Sequence, residues 1–184
     1  MTRMIETADL GTKQLFLVLS PPDRLREQNL ALTADLLQAG YRVCVITTNY
    51  PYRVLMRLYT SAGFDLDRID FIDAITAYAL GTMPPPDKRC RFIQAPTDLT
   101  EIGIGVTELL KAHPDEPTCI LIDSVSTMLI YLSSSNLSKF IHFVANRLRL
   151  LDHAGIFLAV EKGLDPMLLT QLVTFVDATI EGQA

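Results

Sequence analysis

Short apolar runs alternate along this chain with longer stretches in which apolar and polar residues are mixed. The first run, LFLVLS over residues 15–20, is almost continuously apolar and is followed by Pro21 and Pro22, a pattern typical of a strand buried on both faces. The second run, RVCVITT over residues 42–48, is rich in β-branched residues and predicts another strand. Further strands are predicted over residues 69–75, at an edge of the sheet, and over 118–123, 156–160 and 176–181.

Helices are predicted between these strands, because apolar side chains there recur every three or four residues. The first helix is expected to end at Gly40, since glycine favours the left-handed conformation that follows a helix. Pro51 lies where the first turn of the second helix tolerates proline, and the longest helix is expected to end at Gly155. The predicted helices cover residues 25–39, 51–62, 98–113, 137–151 and 164–175.

The alternation of strands and helices predicts parallel pairing through right-handed crossovers. We therefore expect an α/β fold, a three-layer sandwich with a mostly parallel sheet of about five core strands. A single domain is predicted over residues 1–184, with an N-terminal extension over residues 1–13. Residues 77–96 contain a glycine and three consecutive prolines and are predicted to form a surface loop.

Composition narrows the classes of function. The 184 residues are 49% hydrophobic and carry a formal net charge of −5, so nucleic acid is not an expected partner, because phosphate binding needs excess Lys and Arg. No apolar run approaches the roughly 20 residues that cross a bilayer. Residues 1–13 also lack the apolar core of a signal peptide. A cytoplasmic location without membrane contact is therefore expected.

The cysteines and histidines do not predict a metal centre. Cys44, Cys90 and Cys119 form no C-x-x-C pair, and the three histidines show no spacing suited to a shared metal ion. Buried, reduced thiols are the expected state of the cysteines.

Polar residues at the carboxyl ends of the predicted strands are the candidates for a ligand site. In an open parallel sheet, ligands bind at this edge of the sheet. The alternative is that these residues only start turns and cap helices. The candidates for one shared cleft are Ser20, Asp23, Arg24, Thr48, Asn49, Asp123, Ser124 and Glu161.

A phosphate-binding loop would belong between the first strand and the first helix. Such a loop needs the pattern G-x-x-x-x-G-K-[ST], whose backbone N–H groups and lysine hold the phosphates. The chain instead has SPPDRLREQN over residues 20–29, with no glycine or lysine and with two prolines that lack an N–H. Asp123 ends its strand where a magnesium-holding Walker B aspartate would lie, but capping the following turn is an equally good interpretation.

Several segments together resemble the KaiC-like members of the RecA superfamily of ATPases. The segments are VCVITTNYPYRVLMRLYTSAGFDLDRIDFIDA, DLTEIGIGVTELLKA, TCILIDSVSTMLIYL, GIFLAVEKG and VDATIEG, which together cover most of the chain. The resemblance implies a RecA-like sheet of the P-loop NTPase type. It also implies that the first strand lies between the fourth and fifth predicted strands, beside the strand that carries Asp123.

The chain departs from this family where ATP is hydrolysed. ATPases of the family carry a Walker A loop where this chain has SPPDRLREQN, and an acidic pair where it has Thr48 and Asn49. Of the residues of the family's ATPase site, the resemblance gives only Asp123 a counterpart in this chain. We therefore expect no catalytic residues, no ATP hydrolysis and no bound cofactor, with ATP and Mg²⁺ disfavoured.

The leading hypothesis is a non-catalytic, KaiC-like pseudo-ATPase that acts as a binding or regulatory module. It would assemble with itself or with an active relative, so a protein partner or a homo-oligomer is expected. The alternative is a sensor that binds a small ligand or nucleotide in the cleft, and an enzyme with unfamiliar chemistry is a third option. The candidate contact points for a partner are Tyr50, Tyr52, Met83, Lys88, Arg89 and Arg91.

Overall fold

A seven-stranded parallel sheet organises the part of the chain that the computed structural model describes, residue 5 and residues 7–182. The strand order across the sheet is β4-β3-β2-β5-β6-β1-β7. The strands are β1 (Leu15–Ser20), β2 (Arg42–Thr47), β3 (Ile69–Asp73), β4 (Cys90–Phe92), β5 (Thr118–Asp123), β6 (Ala154–Val160) and β7 (Ala178–Glu181).

Helices cover both faces of this sheet, which confirms the predicted three-layer α/β sandwich. Neighbouring strand residues point to opposite faces: Leu17 packs in the core on one side, and Val18 packs in the core on the other. The α5, α7 and α8 helices cover the first side, and α2 and α3 cover the second. The helices are α1 (Thr7–Thr12), α2 (Leu25–Gln38), α3 (Tyr52–Ser61), α4 (Thr76–Leu80), α5 (Leu99–Ala112), α6 (Val125–Met128), α7 (Ser134–Leu150) and α8 (Pro166–Phe175).

The position predicted for the first strand is wrong. Strand β1 pairs with β6 and β7, so β6 separates it from β5, the strand that ends at Asp123. Close packing favours the observed pairing, because a Cβ atom on Gly155 of β6 would lie only 3.1 Å from Leu15 Cδ2 of β1. Gly155 is therefore a packing position inside a strand. The α7 helix ends earlier, and Asp152 takes the positive φ of 55° in the turn that follows.

The predicted surface loop contains two short regular elements. Within residues 77–96, most of α4 and the whole of β4 are ordered elements, and the three prolines lie in the irregular segment between them. Strand β4 occupies the edge of the sheet, so β3 lies inside it rather than at the edge as predicted. A strand of three residues is too short to produce a readable hydrophobic alternation.

Part of the predicted N-terminal extension packs against the domain. Leu10 of α1 and Ile5 are buried in the core on the α2 side, and the Ile5 backbone N–H donates to Asp35 Oδ2 at 3.3 Å. Residues 1–4 and 6 of this extension lie outside the described residues. Within the described part of the chain, no helix has both the length and the apolar character needed to span a membrane.

Candidate functional site

The carboxyl ends of four central strands meet at one edge of the sheet. The last residues of β1 and β6 pair as Ser20 and Val160, and the last residues of β2 and β5 pair as Thr47 and Asp123. This register places the candidate residues that follow these strands along a common edge. Their side chains nevertheless divide into a buried group and an exposed group.

Asp123 lies at the centre of the buried group. Its side chain is only 1% exposed, although it is a carboxylate. Asn29 of α2 donates from Nδ2 to Asp123 Oδ2 at 2.9 Å, and Asn49 donates from Nδ2 to Oδ1 at 3.5 Å. Burial raises the pKa of Asp123 to about 6, and the two amide donors oppose that rise. The carboxyl group therefore has protein donors on both oxygens.

A hydrogen-bonded chain continues from Asn29 into the core on the α3 side. Tyr59 donates its hydroxyl proton to Asn29 Oδ1 at 2.6 Å, and Thr33 donates from Oγ1 to the Tyr59 hydroxyl oxygen at 3.3 Å. Thr33 and Tyr59 are completely buried, and burial raises the pKa of the Tyr59 hydroxyl. We call Asn29, Thr33, Asn49, Tyr59 and Asp123 the Asp123 cluster.

Two further candidates, Ser124 and Thr48, act at the start of α6. Ser124 is the N-terminal cap of this helix and forms a reciprocal capping box with Thr127. The Thr48 and Thr127 hydroxyl oxygens lie 2.9 Å apart. The peptide bond between Asp123 and Ser124 is cis. Ser124 thus has the capping role that was the alternative interpretation of this position, and Thr48 contacts this cap through the Thr127 hydroxyl.

The remaining candidates do not join the Asp123 cluster. Ser20 is buried and donates from Oγ to the Pro21 carbonyl oxygen at 2.9 Å. Asp23 and Glu161 are exposed. Arg24 pairs with Glu27 at 2.8 Å. The eight predicted residues therefore share one edge of the sheet, where some are buried against protein partners and others are exposed.

The turn after β1 differs in backbone structure from a phosphate-binding loop. Residues Pro22–Arg24 form a 3-10 helix, and the Arg24 N–H already donates to the Pro21 carbonyl oxygen at 3.0 Å. Pro21 and Pro22 supply no N–H groups. The turn therefore presents few free backbone donors to a phosphate.

Asn29 and Tyr59 connect Asp123 to the core, and neither was among the site residues predicted from the sequence. Asn29 lies three residues before Leu32 on the buried stripe of α2, where an apolar residue is expected. A polar residue on such a stripe usually has a buried partner. The position of Asn29 could therefore have indicated a buried hydrogen bond, although it does not identify Asp123 as the partner.

Asp73 is a second buried carboxylate at the same edge that the sequence analysis did not single out. It is fully buried and accepts backbone N–H bonds from Tyr52 at 2.7 Å and from Ile75 and Thr76 at 2.8 Å. These donors begin α3 and the turn into α4. Asp73 therefore holds the ends of two helices rather than a ligand.

The described residues contain no group of three or more His, Cys, Asp or Glu side chains that could hold a metal ion. Cys44, Cys90 and Cys119 are buried free thiols, as predicted. Burial raises the pKa of each thiol, which keeps them protonated and poorly reactive.

The predicted partner contacts are only partly exposed. Tyr52 is buried, contrary to prediction, because its ring packs edge-on against Phe71 at 4.9 Å. Tyr50 is half-buried. Arg89 pairs with Asp67, and Arg91 pairs with two acidic residues of α5. Of the six candidates, Met83 and Lys88 remain exposed.

Comparison with solved structures identifies the class of fold. The chain is similar to the uncharacterized protein PH0321 from Pyrococcus horikoshii, solved in complex with an unknown peptide, with a TM-score of 0.72 and 15% identity over 97% of this chain and 83% of that one. It is also similar to the KaiC-like protein PH0186 from Pyrococcus horikoshii OT3, with a TM-score of 0.62 and 12% identity over 91% of this chain and 70% of that one. A third similar structure is PH0250 from the same organism, with a TM-score of 0.64 and 13% identity over 96% of this chain and 87% of that one. The chain therefore has a KaiC-like, RecA-type fold.

The sequence also identifies the family. Residues 14–182 match the model of a family of unknown function, DUF7504, and the chain belongs to that family. A comparison with curated protein sequences finds no match.

Proposed function

We propose that this chain is a non-catalytic RecA-type module that acts by binding a protein partner and does not hydrolyse ATP. Its role would be regulatory, through assembly with itself or with an active relative. No catalytic residue and no cofactor is assigned.

The observation that carries this proposal is the environment of Asp123. A Walker B aspartate needs a carboxylate that is ionised and accessible to Mg²⁺ and its waters. Here the carboxylate is buried, Asn29 occupies one of its oxygens at 2.9 Å, and burial raises its pKa to about 6. At pH 7 the carboxylate is still largely ionised, so it is its burial and its bond to Asn29 that oppose binding of a hydrated cation.

The turn that follows β1 supports the same proposal. Two prolines replace potential N–H donors, and Arg24 is engaged by Glu27. Asp23 is exposed and places negative charge where the phosphates of ATP would need positive charge. A triphosphate would therefore gain little in this turn.

Two observations favour a protein as the partner. The structurally similar PH0321 was solved with a peptide bound. Large apolar side chains are also exposed on this chain, among them Tyr78, Leu80, Met83, Ile130 and Met167, and exposed apolar patches commonly mark protein interaction sites.

Isothermal titration calorimetry with ATP and Mg²⁺ tests the proposal most directly. We expect no binding heat at up to about 1 mM nucleotide, a concentration that would detect even weak sites. The Asp123→Ala variant, checked for folding by circular dichroism, should give the same result. Micromolar binding that Asp123→Ala abolishes would overturn the proposal.

A thermal-shift screen of nucleotides and metabolites separates a binding module from a small-ligand sensor. A true ligand at 100 times its Kd should add about 2.7 kcal/mol to the free energy of unfolding. We expect no compound to do so. A specific shift that Asn49→Ala removes would favour the sensor instead.

Self-assembly is tested by size-exclusion chromatography with light scattering over a range of concentrations. A mass that rises with concentration is expected if the partner is a second copy. A constant monomer mass would leave a different protein as the partner.

A further inference from the structure

A groove runs along the outer surface between α5 and α7. It has a volume of about 750 Å³, and its lining comes from these two helices. The lining includes Gly103, Ile104, Lys111, Lys139 and Phe143. The helix pair α7 and α8 packs closely, whereas α5 and α7 leave this space open to solvent.

The groove is apolar although it faces solvent. Ile104 of α5 is 39% exposed and Phe143 of α7 is 48% exposed, on helix faces where polar residues are the norm. Gly103 lies opposite Phe143, and a Cβ atom there would lie 3.3 Å from Phe143 Cε1. The absence of a side chain at Gly103 lets the Phe143 ring approach the backbone of α5.

The groove lining carries two lysines and one glutamate, a net positive charge on a chain whose net charge is −5. The glutamate, Glu108, pairs with Arg91, which also pairs with Glu101. Lys111 and Lys139 also line the groove. Within the part of the chain that the structure describes, neither lysine forms an ion pair with an acidic side chain. Two uncompensated ammonium groups therefore flank an apolar surface.

We propose that this groove binds an amphipathic helix of a partner protein, with apolar side chains packed between α5 and α7 and acidic side chains paired with Lys111 and Lys139. The proposal rests on the partner-binding function above and names the surface and the chemistry of the partner. Charge complementarity selects an acidic helix over a basic one.

The shape of the groove favours a helix over an extended strand. The groove follows α5 from Leu99 to Lys111, a length of roughly 18 Å at 1.5 Å per residue. Apolar anchors at positions i, i+4 and i+7 of a docked helix would extend along about 11 Å of that length. An extended strand would instead need an open sheet edge, and both faces of this groove are helical.

The probe for the test is a pair of synthetic helical peptides of about 18 residues. Both carry Leu and Phe at i, i+4 and i+7; one carries flanking Glu residues and the other carries Lys at the same positions. Binding to the full chain is measured by fluorescence anisotropy. We expect the Glu peptide to bind at least about tenfold more tightly than the Lys peptide.

Variants then locate the binding surface. Lys111→Glu with Lys139→Glu should weaken the Glu peptide by about tenfold or more and strengthen the Lys peptide. Ile104→Ser should weaken both peptides. The matched controls are Lys162→Glu, an exposed lysine outside the groove, and Leu150→Ser, an exposed apolar residue of α7 outside the groove; both should leave binding unchanged.

The outcomes distinguish this proposal from the function on which it rests. Equal affinity for the two peptides, no binding of either, or equal loss with the control variants overturns the docking site but leaves the absence of ATP binding untouched. Concentration-dependent dimerisation that Ile104→Ser abolishes would mean that a second copy covers the groove, and would also overturn it. Micromolar ATP binding would instead remove the proposed function while the peptide result stands.

Discussion

The Asp123 cluster and the α5–α7 groove differ in which side chains they bury and which they expose. In the cluster, polar side chains are buried and bond to one another, from Thr33 through Tyr59 and Asn29 to Asp123. In the groove, apolar side chains such as Phe143 remain exposed, and two lysines form no ion pair with the part of the chain that the structure describes. The first region has its interactions satisfied within the chain, whereas the second does not.

This difference shows that a parallel α/β sheet can keep its architecture while the side chains at the carboxyl ends of its strands bond to one another. The carboxyl edge of a parallel sheet is where ligands usually bind. Here the side chains at that edge stabilise the domain, because buried polar groups require partners. The binding surface proposed above lies instead on two outer helices, α5 and α7.

The largest effect is expected when Asn29 is removed. Asn29→Ala leaves Asp123 without its shorter hydrogen bond and the Tyr59 hydroxyl without its acceptor. The free energy of unfolding should fall by about 3 to 4 kcal/mol, as measured by urea denaturation at pH 7. Arg26→Ala, an exposed position on the same helix, should change it by less than about 0.5 kcal/mol. Equal effects of the two variants would show that the cluster does not stabilise the fold.

A smaller effect, of opposite sign, is expected for Asp123→Asn. Burial raises the pKa of Asp123 from 3.8 to about 6, so the folded state binds this proton more tightly than the unfolded chain. The Asp123 contribution therefore favours folding at low pH and is lost as the pH rises from about 4 to about 6, a decrease of about 3 kcal/mol. Asp123→Asn removes the charge and nearly keeps the shape. Its amide oxygen can still accept from Asn29, and its NH₂ group then faces Asn49, whose amide must reverse to accept it.

The measurement is the free energy of unfolding of both proteins between pH 4 and 7.5. Asp123→Asn should be more stable than the parent chain at pH 7 by about 2 kcal/mol and should lack this part of the pH dependence. An unchanged pH profile in the variant would show that Asp123 titrates normally and that the cluster does not control its charge.

Removing the Tyr59 hydroxyl should have a more modest effect. Tyr59→Phe leaves Asn29 Oδ1 without its donor, and we expect a loss of about 1 kcal/mol in the free energy of unfolding. Tyr78→Phe is the matched control, because Tyr78 is 54% exposed and its hydroxyl can bond to water. A Tyr59→Phe variant as stable as this control would argue that the bonded chain stops at Asn29.

The smallest effect is expected in the groove. Gly103→Ala should change the free energy of unfolding by less than about 0.5 kcal/mol, since the better helix propensity of Ala offsets a small shift of the exposed Phe143 ring. Gly155→Ala should cost more than about 1 kcal/mol, because its Cβ would lie 2.6 Å from Leu148 Cδ1 in the core. Circular dichroism melts of both variants test the contrast. A large loss with Gly103→Ala would show that the groove is packed rather than open.

Much of the fold could be predicted because its signals are local. The runs over residues 15–20 and 118–123 are strands with those bounds, and Gly40 takes the positive φ expected after the first predicted helix. Gly155 misled the prediction of where α7 ends, since glycine is also used where two strands and a helix pack closely. The presence of a glycine at a position does not by itself distinguish these two uses.

Less of the candidate site could be predicted. The sequence located Asp123, Thr48, Asn49 and Ser124 at one edge of the sheet, but it also grouped exposed Asp23 and Glu161 with them. Whether a side chain after a strand turns inward or outward depends on the helices packed above that edge. That information is not contained in the residue type.

The sequence by itself determined the alternation of strands and helices, the three-layer class and the absence of a Walker A motif, because each depends on residues close together in the chain. Only the tertiary structure decided that β1 lies between β6 and β7, that Asn29 bonds to Asp123 across 94 residues, and that α5 and α7 leave a groove. These features depend on contacts between distant segments, and hydrophobic periodicity specifies which face of an element is buried but not which element covers it.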